Sequence, residues 1–160
     1  MATKKQQMQS IIRLYREKTG VTSINMHEVA KFAAAMGWPL PAPKSALDRL
    51  AEQFSGVARD ETRRDEVTGR PYRANVAVTE WHEGTQTTLW TDIDEAPRKV
   101  AHKSFVQRRE QMVGDAVQLT LDVDRWNRVH VNEEPINMPL DFAFDVELRL
   151  SANQANDDAA

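Results

Sequence analysis

The sequence predicts a mainly α fold with one small β-hairpin, in which a helical N-terminal domain is followed by a long C-terminal helix. Three observations carry that expectation. Three segments ahead of residue 60 space their apolar residues at helical intervals. Two runs rich in β-formers then flank a Glu83-Gly84 turn. Finally, an apolar stripe from Asp94 to about Asn127 keeps a helical period for roughly 30 residues, far beyond an ordinary helix.

The first helix is expected from about Lys5 to Lys18, with Met8, Ile11, Ile12, Leu14 and Tyr15 on one face and Thr19-Gly20 as its stop. Asn25 followed by Glu28 is a capping-box pattern and opens the second helix, whose apolar side is Val29, Ala30, Phe32, Ala33 and Met36. Gly37 closes it, and the prolines at 39, 41 and 43 enforce an extended connector. The third helix starts near Ser45 and is expected to turn Leu47, Leu50, Ala51, Phe54, Val57 and Ala58 inward, with a polar far end over residues 59–66. Thr68-Gly69-Arg70-Pro71 reads as a turn. The alternation of Tyr72, Ala74, Val76 and Val78 marks one strand, and residues 86–91 mark its hairpin partner.

Asp94-Glu95-Ala96-Pro97 reads as a helix start, with acids and a proline in the first turn. Phe105, Met112, Leu119 and Trp126 recur seven apart along the long helix, a seam that asks for a partner helix or a second chain. Gly114 interrupts the helix and is expected to mark a bend or a close helix crossing. Residues 140–150 fit a strand by alternation and a helix by the spacing of Leu140, Phe144 and Leu148; helix is the preferred reading, with Asp141 as cap. The expected organisation is therefore residues 1–93 as the first domain, 94–150 as the long helix and its packing segment, and 151–160 as a disordered tail.

Composition excludes several classes of chemistry. There are no cysteines, so disulfides, thiolate metal sites and cysteine nucleophiles are ruled out. No signal-peptide pattern or membrane-length apolar run is visible, and a soluble, cytoplasmic protein is expected. Net charge is −3 but uneven: residues 1–64 carry 11 basic and 6 acidic side chains, whereas residues 111–160 carry 3 and 10. A basic front and an acidic back point to a polyanion-facing end, or to two surfaces that attract each other between copies.

No catalytic motif is present, and no cofactor is expected. The four histidines lack zinc-site spacing. Asp122, Asp124 and Glu133 echo a calcium loop but fail at its fifth and sixth positions, where Trp126 and Asn127 replace a ligand and the required glycine. No metal is expected.

The order helix, helix, helix, hairpin is that of a winged helix-turn-helix, which places its third helix in the major groove of DNA. On that reading Lys44, Ser45, Arg49 and Gln53 face bases and phosphates, and Arg59, Arg63, Arg64, Arg70 and Arg73 sit beside or in the wing. Arginine suits the task because its planar fork pairs with phosphate or a guanine edge through two bonds. Trp81 and Trp90 on the hairpin are candidates for base stacking. A second basic group, Arg98, Lys99, His102, Lys103, Arg108 and Arg109, reads as a solvated helix side. The expected function is nucleic-acid binding, DNA foremost and regulatory in character. The alternative is a protein-interaction or assembly module that dimerises or binds a protein through Phe105, Met112, Leu119 and Trp126.

The segments Ile11-Ile12-Arg13-Leu14-Tyr15-Arg16, Asn25-Met26-His27-Glu28-Val29-Ala30, Trp38-Pro39 and Gln107-Arg108-Arg109 resemble an uncharacterised bacterial protein family. The resemblance covers most of the chain and implies a bacterial cytosolic source, but it brings no activity and no catalytic residue.

Overall fold

The structure, a computed structural model, describes residues 1–158. Five helices and two small antiparallel sheets follow in the order α1 (Lys4–Thr19), α2 (Met26–Ala35), α3 (Ala46–Asp60), β1 (Thr62–Arg64), β2 (Pro71–Arg73), β3 (Asn75–His82), β4 (Thr85–Asp92), α4 (Arg98–Val129) and α5 (Ala143–Asp158). The chain divides into two compact units, Met1–Arg49 and a second that begins at Leu50.

In the first unit, Thr3 and Gln6 form a reciprocal capping box at the start of α1, and Gly20 closes it in the left-handed conformation at φ 68°. Asn25 caps α2 by accepting the His27 amide at 2.8 Å, while Glu28 pairs with Lys31 and does not close the expected box. The two helices meet through an edge-on contact of Tyr15 with Phe32, 5.5 Å between ring centres, with Val29 buried beside them. Ser45 caps α3: its hydroxyl accepts the Asp48 amide at 3.0 Å.

In the second unit the hairpin β3–β4 supplies most of the core. Ala74, Val76 and Val78 are buried, as their alternation predicts. Glu83 and Gly84 both have positive φ, at 49° and 77°, the geometry of the tight turn that matches strand twist. The other edge of β3 is closed by a side chain: Gln107 of α4 accepts from the Thr79 amide at 3.0 Å and donates to the Thr79 carbonyl at 2.9 Å. Lys103 reaches Glu80 at 2.8 Å on the same side. The first half of α4 is thereby fixed along the hairpin.

Several expectations need correction. The polar stretch expected to end α3 contains β1, which pairs with β2 around a turn whose Val67 and Thr68 amides donate to Asp65 Oδ1. Glu61 and Thr62 leave the helix because the Ala74 amide claims the Glu61 carbonyl at 2.9 Å, an interaction distant in sequence. The apolar face of α3 does not turn inward: Leu47, Leu50, Phe54 and Val57 are all exposed. Asp94 and Glu95 precede α4, which starts at Arg98 after Pro97, and Asp94 is drawn to Arg63 and Tyr72 instead. α4 runs unbroken through Gly114, where an added Cβ would meet nothing within 4 Å, so no helix crosses there.

The 32 residues of α4 span about 48 Å at 1.5 Å per residue. Beyond it the chain doubles back: Asn127 donates to the Ile136 carbonyl and accepts from its amide, both at 2.9 Å. Residues 136–142 then run beside α4, with Pro139 and Phe142 near Met112 and with Ile136, Met138 and Leu140 near Leu119 and Val123. α5 opens where Asp141 accepts the Ala143 amide, as its capping role predicts. It continues through residues expected as a disordered tail to Asp158; residues 159 and 160 lie outside the described residues.

Candidate nucleic-acid interface

The nine basic and polar residues singled out for nucleic-acid contact meet different fates. Lys44, Ser45 and Arg49 belong to the first unit and the others to the second. The Ser45 hydroxyl is used twice within α3, since it also donates to Asp48 Oδ2 at 2.6 Å. Arg49 and Gln53 lie exposed on α3. Arg64 donates to the Gly69 carbonyl at 3.0 Å and ties the β1–β2 turn, in which Arg70 is exposed.

Arg63 is held by carboxylates. Its guanidinium makes a two-pronged pair with Asp92 at the end of β4 and a further bond of 3.0 Å to Asp94 Oδ2. Tyr72 donates to the same Asp94 oxygen at 3.2 Å. The pairing raises the pKa of Arg63 further and holds the Asp92 carboxyl below its ordinary value, chiefly through the Arg63 bonds and next through the Asp94 amide. Loss of water around Tyr72, and then the Asp94 charge, raise its hydroxyl. This cluster ties β1 to β4 and leaves Arg63 little to offer a ligand.

Arg59 and Arg73 are brought together elsewhere. With Arg108 of α4 they line a recess of about 260 Å³ bounded by the end of α3, β2, the β3–β4 hairpin and α4. The remaining lining comes from Asn75, Val76, Ala77, Thr79, Thr88, Trp90, Ser104, Gln107 and Gln111, with no carboxylate among them. Among the described residues none of the three arginines forms an ion pair. Each has a clear local origin: Arg59 in the last turn of α3, where a cation complements the helix dipole; Arg73 opposite Thr62 in the short sheet; Arg108 one residue after the Gln107 clamp.

No protein-family model, curated protein or solved structure matches the chain. The site therefore rests on its own residues.

The hairpin tryptophans separate. Trp81 is 70% exposed near the tip, and Trp90 is half-buried in the recess. The tip itself is acidic, with Glu80, Glu83 and a His82 that bonds Glu80 at 3.2 Å. Lys103 and His82 both hold the Glu80 carboxyl below its ordinary value, Lys103 more strongly. An acidic tip is poorly suited to lie along a phosphate backbone, so the basic character of this hairpin sits at its root.

Sequence reasoning placed Arg108 with a solvated helix side and passed over Ser104 and Gln111. The available signal was spacing: Ser104, Gln107, Arg108 and Gln111 recur at three and four residues and so share one face of α4. Among the described residues no three His, Asp or Glu side chains gather as a metal site; Asp122 and Asp124 lie inside α4. Among the described residues no helix is long and apolar enough to cross a membrane.

Proposed function

We propose that this chain is a nucleic-acid-binding protein and that its binding surface is the arginine-lined recess at the root of the β3–β4 hairpin. The observation that carries the reading is the convergence of Arg59, Arg73 and Arg108, from three separate elements, on one concavity without a carboxylate, in a chain whose net charge is −3. Like charges gather at a cost unless an anion is meant to lie between them, and arginine forks match phosphate oxygens in pairs. The winged-helix order of α1, α2, α3 and the hairpin remains part of the proposal, but the recess and not the exposed face of α3 is the favoured contact. The test is a retention assay at low salt with labelled single strands and duplexes. Binding that weakens steeply with added salt supports the reading, because neutralised phosphates release counterions. Absence of retention of every nucleic acid at 25–50 mM salt rejects it.

A second reading, assembly between two copies, is favoured by α4 from Met112 onward and by α5. Met112, Val113, Val117, Leu119, Phe144 and Leu148 are all exposed there, and exposed apolar surface where it is contiguous marks an interface. Phe105 is exposed too, whereas Trp126 is partly covered by His130 stacked at 4.4 Å. A second copy is the fitting occupant because the acidic residues 111–160 and the basic residues 1–64 attract between copies. Light scattering decides: twice the 18.2 kDa chain mass, lost in Leu119→Asp, supports dimerisation, and a mass of one chain rejects it.

A further inference from the structure

The recess holds more than charge. At about 260 Å³ it falls just below the usual size of small-molecule sites. That is room for one base, not for a base pair. Trp90 contributes an aromatic wall, and stacking on such a ring is open to any base.

In the wall of the recess lies a hydroxyl with an unusual status. Ser104 is 1% exposed, and its Oγ has no hydrogen-bond partner among the described residues. A serine within a helix either faces solvent or donates to the carbonyl four residues back. Ser10, Thr19, Thr120 and Ser151 all do so here, at 2.8–3.0 Å. Ser104, the seventh residue of α4, does not. A buried hydroxyl without a partner costs stability, and alanine would avoid that cost. Gln111, two turns further along the same face, also lines the recess, and its amide makes no hydrogen bond to the described residues. The other polar lining is occupied: Gln107 on Thr79, Asn75 on the Ala58 carbonyl and Glu61, Thr79 on Thr88. Two groups suited to a base edge, the buried Ser104 hydroxyl and the exposed Gln111 amide, are thus left in the lining.

We infer that the recess takes a single unpaired nucleotide of a strand, with its phosphate on Arg59, Arg73 and Arg108 and its base against Trp90 within reach of Ser104 and Gln111. This inference rests on the nucleic-acid reading and narrows it from any polyanion to an unpaired base.

The experiment is an anisotropy titration of the full chain with a labelled ten-nucleotide single strand. A blunt duplex of the same sequence, adenosine monophosphate and inorganic phosphate serve as competitors. The strand is expected to bind at least tenfold more tightly than the duplex, and the mononucleotide to compete better than phosphate. Ser104→Ala should lower strand affinity about fivefold, the worth of one hydrogen bond, while melting at an equal or higher temperature. Trp90→Leu should lower affinity roughly five- to 150-fold, the worth of stacking one base. A duplex that binds as well as the strand, or phosphate that competes as well as the mononucleotide, overturns the inference and leaves nucleic-acid binding standing. So does a Ser104→Ala variant with unchanged affinity, or one whose affinity and melting temperature fall together. Failure of every nucleic acid to bind removes both.

Discussion

Two groups of arginines lie at the root of the same hairpin and behave oppositely. Arg63 is saturated: Asp92 and Asp94 neutralise it, Tyr72 buttresses the second carboxylate, and the cluster ties β1 to β4. Arg59, Arg73 and Arg108 line one recess with no carboxylate in its lining. Arg63 and Arg64 are adjacent in the chain, and Arg73 lies beside them in the same small sheet, yet only Arg73 joins the recess. Strand alternation puts Arg63 with Tyr72 on the face opposite Arg73, where the acids of the β4–α4 turn meet it, while Arg64, on the same face as Arg73, is held by the Gly69 carbonyl. An arginine's role is set by whether an acid is delivered to it, which composition does not reveal.

The largest expected effect separates the two groups by binding. The double variant Arg73→Ala, Arg108→Ala should lose single-strand affinity on the order of a hundredfold, since hydrogen bonds to charged groups are the strong ones. The slope of log affinity against log salt should fall by about 1.4, at roughly 0.7 per phosphate contact on a single strand. Its melting temperature should stay close to the parent's, as for surface changes that break no contact. Unchanged affinity would erase the distinction.

Next comes the reverse experiment. Arg63→Met leaves Asp92 and Asp94 together without their cation, so thermal melting should drop below that of either recess variant. Strand affinity measured below the melting transition should change less than twofold. A larger binding loss than for Arg73→Ala would place Arg63 in the interface.

Smaller again is the dependence on pH. The folded pKa of Asp92 is depressed by Arg63, so its contribution is present above the ordinary carboxylate value, near 4. It is lost as pH falls through the lower folded value. Melting temperature should therefore decline on acidification below about pH 4, and Arg63→Met should flatten that decline. A parent and variant with parallel pH profiles would show that the pair contributes nothing to the titration. The mildest change is Tyr72→Phe, which removes only the 3.2 Å bond to Asp94. Its melting temperature should shift by a fraction of the Arg63→Met shift, with no change in binding.

Much of the fold was legible because local signals agreed. Gly20, Asn25, Gly37, Ser45 and Glu83-Gly84 each mark a boundary through backbone chemistry that needs no distant partner. The alternation over Tyr72, Ala74, Val76 and Val78 marked one strand; the structure buries the last three but divides the run, with Tyr72 in β2 and Val76 and Val78 in β3. What failed depended on distant contacts. β1 hides in a stretch composed like a helix end, because its strand geometry is imposed by pairing with residues 71–73 and by the Ala74–Glu61 bond. The inward face assigned to α3 assumed a cover that Leu50, Phe54 and Val57 do not receive. Of the recess lining, the sequence pointed to Arg59 and Arg73 for phosphate contact and to Trp90 for stacking. Arg108, Ser104 and Gln111 are separated from them by a hairpin, and nothing in local spacing joins a helix face to a strand that is distant in sequence.

The Gln107 amide has a mechanical consequence. A two-stranded hairpin alone is marginal in water, and its open edges invite foreign strands. By filling both polar groups of Thr79, one side chain acts as a rung of a missing third strand and welds α4 to β3 at a single register. The helix cannot slide along the hairpin by even one residue without breaking both bonds. Arg108, next in sequence, is therefore indexed against Trp90 and Arg73 as a tooth is against its rack. The register that brings Arg108 to the recess is held by a glutamine that carries no charge of its own.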